Sequence, residues 1–113
     1  MTLTLMVRAN FTGVNMIKVR NITNANGNTV ANQFEIVDVD NATFFQSYNS
    51  IIAEVRDSDG QVYLDEYYWD YSRTTMRHLY NFLRQWGYDG LNSKIVRQFI
   101  KDGKFKTTNL NVV

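Results

Sequence analysis

The chain contains no cysteine and no proline among its 113 residues. The first absence excludes disulfides, thiol catalysis and cysteine metal sites together. The lone histidine, His78, leaves no histidine pair for a metal or a proton relay. The six glycines fit neither a Walker loop nor a dinucleotide fingerprint. No apolar run approaches the ~18 residues of a membrane-spanning helix, so no membrane partner is expected. Met1 to Val7 lack a basic n-region and a small-residue cleavage site. That points away from export and toward the cytoplasm. Asp57-Ser58-Asp59-Gly60 invites a calcium reading and fails it. A calcium loop wants glycine sixth and glutamate twelfth, and the twelfth position from Asp57 is Tyr68. No catalytic residue, metal ligand or cofactor is expected, and the chain reads as a non-enzyme.

What is present is one domain's worth of residues, 1–113, with 44% apolar and 20% charged side chains. That is the balance of a globular protein. Aromatics reach 14%, and their large burial per residue suits a small core or a binding surface. The net charge of +1 hides a polarity. Residues 1–53 are neutral, residues 54–72 carry −5 and residues 73–113 carry +6. Segregation of this kind steers a charged partner, unless the acidic part folds onto the basic helices and the charges cancel.

Period-2 alternation marks strand candidates at 2–8, Met16 to Ile22 and around Phe34 to Val39, then Thr43 to Gln46, Ile51 to Arg56 and Gln61 to Asp65. Residues 1–15 read as an N-terminal extension or an edge strand. Asn26-Gly27 predicts a two-residue type I′ turn. From Ser72 on, the period changes. Met76, Leu79, Tyr80 and Leu83 fall at i, i+3, i+4 and i+7, which predicts a helix from Arg73 to Trp86, capped by Ser72 and ended by Gly87. Ser93 opens a second helix with Ile95, Val96, Phe99 and Ile100 inward, and Phe105 to Val113 returns extended. The layout is α+β: an antiparallel sheet of about five strands, two α-helices, then a short C-terminal strand.

Two surfaces stand out. The first is the acid-rimmed aromatic run Asp65, Glu66, Tyr67, Tyr68, Trp69, Asp70 and Tyr71, the composition of a protein-interface hot spot or of a core lid. The second is basic: Arg73, Arg77 and Arg84 share one sector of the first helix, and Lys94, Arg97 and Lys101 line a stripe of the second. Guanidinium forks suit phosphates and carboxylates, so a nucleic acid or another anionic partner is expected there. Exposed edge strands also invite pairing across a two-fold axis, so a homodimer is an expectation too.

The strings Phe44-Phe45-Gln46-Ser47-Tyr48-Asn49-Ser50-Ile51-Ile52-Ala53, Tyr68-Trp69-Asp70-Tyr71-Ser72-Arg73-Thr74-Thr75 and Leu79-Tyr80-Asn81-Phe82-Leu83 resemble a family of small uncharacterised domains. Such domains look typical of low-GC Gram-positive bacteria and their phages and plasmids. The resemblance implies a mobile-element setting. Small proteins of that setting without enzymatic motifs are often inhibitors or modulators of host machinery, anti-CRISPR and other anti-defence proteins among them. The partner so implied is a host protein, such as a defence nuclease complex, with a nucleic-acid-binding accessory role as the alternative.

Overall fold

The computed structural model describes residues 2–10 and 13–112, with side chains from Met16 onward. Its elements in chain order are β1 (Thr2–Asn10), β2 (Gly13–Thr23), β3 (Thr29–Asp38), β4 (Ala42–Ser47), β5 (Ser50–Arg56), β6 (Val62–Asp65), α1 (Arg73–Leu83), α2 (Ser93–Lys101) and β7 (Phe105–Thr108). The strands form one sheet in sequence order, antiparallel from β1 to β6, with β7 parallel to β6. A parallel neighbour needs a long crossover, and α1 and α2 supply it. The fold is α+β. Six strands precede the helices rather than about five, because β1 pairs with β2 from Thr2↔Arg20 to Asn10↔Gly13 and adds an edge strand. The alternation expected of Leu3, Leu5 and Val7 falls on side chains outside the described residues.

Register explains which residues form the core. Glu35, Phe45, Ala53 and Leu64 lie side by side across four strands, and Val37, Thr43, Val55, Val62 and Phe105 across five. Side chains at these positions share one face of the pleat, and the helices cover it. Phe45 stacks on Phe82 of α1 at 5.6 Å, and Phe105 meets Phe99 of α2 at 5.1 Å. Leu79, Phe82, Leu83 and Val96 complete this buried layer. A register shift between Phe45 and Gln46 lets β5 bury Ile52 as well as Ala53. The positions in between, among them Ile36, Phe44 and Tyr63, are half-buried on the other face.

Local signals behave as their chemistry requires, with three corrections. Ser72 caps α1, its Oγ accepting from Thr75 N at 3.0 Å. The helix stops at Leu83, however, and continues as a single 3₁₀ turn, Arg84–Trp86, which closes on Gly87 at φ +89°. The cap of α2 is Asn92 rather than Ser93, because the Asn92 carboxamide oxygen reaches Ile95 N at 2.9 Å. The Asn26-Gly27 turn is not a two-residue hairpin. Thr23 pairs with Thr29, and the loop between is organised by Asn24, whose side-chain oxygen accepts from the backbone N–H groups of Asn26 and Asn28. An asparagine that captures the backbone two and four residues on outcompetes the tighter turn.

Candidate functional site

The Ser72 cap and the buried stripe Leu79, Phe82 and Leu83 fix the rotation of α1 on the sheet. At 100° per residue, Arg73, Arg77, Asn81 and Arg84 must then face outward. Asn81 uses that position to hold the β2–β3 loop: its side-chain N–H donates to Thr23 O at 2.9 Å. The result is an open trough of about 780 Å³ along the outer face of α1. The β2–β3 loop (Asn24, Ala25, Asn26) lines it, as does the α1–α2 connection from Gly90 to Ser93. Arg73, Arg77 and Arg84 project from the helix, with Met76 and Tyr80 adding apolar surface. Among the described residues no aspartate or glutamate lines it.

Among the described residues Arg73 and Arg77 have no ion-pair partner, while Arg84 Nε donates to Asp89 Oδ1 at 3.2 Å, both groups exposed. An exposed pair of that kind is weak and readily exchanged. His78 lies on the flank of the same trough. Burial, reinforced by the charge of Arg77, holds its pKa below the usual histidine value, so the ring is neutral at pH 7. Burial also raises the Tyr80 hydroxyl, with Arg97 opposing and Asp70 assisting. That hydroxyl is buried with no partner among the described residues.

The other basic residues expected on this surface divide. Lys94 and Lys101 are exposed on α2, outside the trough lining. Arg97 is held against the body of the protein. It donates to Asp70 Oδ2 at 3.0 Å and lies over the Trp69 ring at 5.2 Å. Three of the six residues, Arg73, Arg77 and Arg84, therefore form the trough, and Lys94, Arg97 and Lys101 lie outside it, so there is no continuous stripe.

The aromatic run divides as well. Glu66, Tyr67, Asp70 and Tyr71 reach the surface, with Tyr67 70% and Tyr71 73% exposed. Tyr68 is half-buried between the two, with ring centroids at 4.9 Å from Tyr67 and 6.0 Å from Tyr71. Asp65 and Trp69 are not surface groups: they are 1% and 5% exposed. Of the two alternatives, contact surface or core lid, these two take the second, as what they touch shows. Asp65 Oδ2 accepts from the backbone of Tyr67 and Tyr68, and Oδ1 from Leu110 N and the Asn111 side chain. The carboxylate ties the aromatic turn to the C-terminal segment.

Cancellation is partial: Asp89 pairs with Arg84 and Asp70 with Arg97, while Arg73 and Arg77 have no ion pair among the described residues. Asp38, Asp40, Glu54 and Asp57 gather around a depression of about 570 Å³ at the β3–β4 and β5–β6 turns. The trough lies at the opposite end of β3, beside Val30. A ten-residue strand separates them by roughly 30 Å.

Sequence reasoning missed two features. Glu35 is buried on the helix-covered face, paired with Arg20 and accepting from Gln85 Nε2 at 2.6 Å. Its place in a strand that alternates gave the only signal. Tyr48 has positive φ, +53°, in the β4–β5 turn, which no local motif announces. Among the described residues no group of three or more His, Cys, Asp or Glu side chains is placed to hold a metal ion, and no helix is long and apolar enough to cross a membrane. No curated protein and no solved structure matches the chain. A family model does match, over residues 17–102, from β2 to the end of α2. By that match the chain belongs to the family of unknown function DUF8033.

Proposed function

We propose that the protein is a non-enzymatic binding protein that holds the phosphate backbone of a nucleic acid in the arginine trough of α1. The observation that carries this reading is the lining of the trough: three guanidinium groups, two of them without an ion pair among the described residues, and no carboxylate. Guanidinium forks match phosphate oxygens in geometry as well as charge. Three contacts set the expected salt dependence. Each phosphate neutralised on a single strand contributes a slope of about −0.7 in log affinity against log salt, so the total is about −2. Affinity then falls by roughly 15- to 20-fold between about 50 and 200 mM salt.

The test is a fluorescence-anisotropy titration with a labelled oligothymidylate across that salt range. A slope near −2, made shallower by the double substitution Arg73→Gln and Arg77→Gln, supports the reading. A strand that does not bind at the lowest salt overturns it.

A second reading is favoured by one observation of its own, the exposed Tyr67 and Tyr71 beside Glu66 and Asp70. That surface suits contact with a partner protein. With the mobile-element setting that the resemblance implies, the partner is a host protein such as a defence nuclease complex. A host protein retained by the native chain and lost with Tyr67→Ala and Tyr71→Ala supports it. Retention by both overturns it.

A further inference from the structure

The trough leaves unexplained the two motif strings that dominate the middle of the sequence. They meet in space. Where the β4–β5 turn approaches the start of α1 there is a pocket of about 340 Å³, and every residue that lines it lies in Phe44–Ala53 or Tyr68–Thr75. Tyr48, Tyr68 and Tyr71 supply its aromatic surface, Ile52 an apolar one, and Ser47 and Thr75 hydroxyl groups. Among the described residues no charged side chain lines it.

Tyr48 is placed there against its own preference. It is the first central residue of the two-residue turn between the paired Ser47 and Ser50, and its φ of +53° is a conformation that glycine adopts freely and a bulky residue rarely. Two bonds hold it: Tyr48 N donates to Asn32 O at 2.7 Å, and Gln46 Nε2 donates to Tyr48 O at 2.7 Å. The ring so presented is 63% exposed, so packing does not account for a tyrosine at this turn. Strain of this kind persists where the side chain has a use.

The neighbourhood says which use. Tyr71 is separated from Arg73 by Ser72 alone, and Arg73 and Arg77 line the arginine trough. A neutral aromatic pocket and a cationic trough therefore flank the first turn of α1 from two sides, without a shared lining residue. A nucleotide has the same division, a flat uncharged base with a polar edge beside an anionic phosphate. We propose that the tyrosine pocket takes a nucleobase, stacked on Tyr48 and Tyr71, while the adjoining phosphates lie on Arg73 and Arg77. This rests on the trough reading of the function and deepens it to selectivity for single strands. A base in a duplex has both faces covered by its neighbours and cannot enter.

The experiment compares three labelled ligands of equal length: oligothymidylate, the same strand with abasic sites throughout, and a duplex. The native protein binds oligothymidylate at least about fivefold more tightly than the abasic strand, the lower end of what one aromatic–base stack contributes. Tyr71→Ala and Tyr48→Gly each reduce that preference and leave abasic binding unchanged. Tyr48→Gly keeps or raises the melting temperature, so a loss of preference in that variant is not a loss of fold. Equal binding of the two single strands by the native protein overturns the pocket while leaving the trough standing. It would point instead to a side chain of a protein partner. A preference that survives both substitutions also overturns the pocket. Absence of binding to either strand at low salt overturns the trough reading, and the pocket inference with it.

Discussion

Asp65→Asn separates a carboxylate that holds the fold from one that meets a partner. The side chain is buried and accepts four hydrogen bonds: from Tyr67 N at 3.1 Å and Tyr68 N at 2.8 Å on one oxygen, from Leu110 N at 2.8 Å and Asn111 Nδ2 at 3.0 Å on the other. None of these donors is a charged side chain, so the anion is stabilised entirely by N–H dipoles. Asparagine has the same shape but only one acceptor atom. Whichever oxygen is replaced, two N–H groups lose their acceptor and face an NH₂ group that also donates.

A buried donor left without a partner costs about 1–3 kcal/mol. Two of them imply a loss of about 3 kcal/mol or more, against a total stability of roughly 5–15 kcal/mol for a domain. The damage spreads through Asn111, whose side chain also accepts from Ile51 N at 2.7 Å and donates to Ile51 O at 2.9 Å. One polar cluster thus joins β5, the end of β6 and the C-terminal segment. Urea unfolding followed by circular dichroism should show the midpoint falling by about 2 M, taking an m-value near 1.5 kcal/mol/M. A loss below about 1 kcal/mol, together with a loss of partner binding, would refute this account and return Asp65 to the surface.

Four other outcomes follow from the structure. Tyr48→Gly should raise stability by about 0.5 kcal/mol, since relief of the left-handed strain exceeds the entropy that glycine loses on folding, whereas Tyr48→Ala should not; thermal unfolding of the two variants decides it. Arg20→Ala should destabilise more than Glu35→Gln, because the first leaves a buried carboxylate with only Gln85 as partner and the second frees a half-exposed arginine to water; denaturant midpoints give the order. For His78 the folded-state pKa lies below the unfolded one, so the unfolded chain takes up its proton first as pH falls. The stability this histidine contributes is complete above about pH 6.5 and declines below it, and His78→Gln should flatten the stability profile there. Phosphate in the trough should raise the His78 pKa, visible as a displaced NMR titration of this single imidazole when oligothymidylate is added.

The sequence made some of these features legible and hid others, and the division follows the range of the interaction. Ser72, Gly87 and the stripe Met76, Leu79, Tyr80 and Leu83 were readable because each acts within one or two turns of its own helix, although Met76 and Tyr80 are only half-buried and Phe82 joins the buried face. The same stripe fixed the outward sector of Arg73, Arg77 and Arg84. The Asn24 loop was misread although it is local, because Asn26-Gly27 is a strong signal for a different turn and the side-chain bonds of Asn24 compete with it. For Asp65 and Trp69 the sequence left contact surface and core lid both open, and what decides between them was out of reach. One depends on Leu110 and Asn111, 45 and 46 residues away, and the other on packing against the helices with Arg97 laid over its ring. Glu35 is similar, since Gln85 lies 50 residues on. Period-2 alternation assigns a charged residue to a face. It does not say whether a helix covers that face.

The near-zero net charge has a different meaning once the fold is known. In solution near 0.15 M salt a charge is screened beyond about 8 Å. The acidic depression around Asp38 and Asp57 stands roughly a strand's length from the arginine trough, about 30 Å. A phosphate near Arg77 therefore responds to Arg73 and Arg77, to Arg84 with its partner Asp89, and barely to the distant carboxylates. The +1 total and the pI near 8.0 average over a trough and a depression too far apart to act on each other. The β3–β4 end is locally anionic and the end that holds the arginine trough locally cationic, Glu66 and Asp70 aside, so a polyanion meets attraction at the trough end. That end also carries Tyr48 and Tyr71. The charge pattern selects the orientation, and the aromatic pocket lies where the orientation delivers the strand.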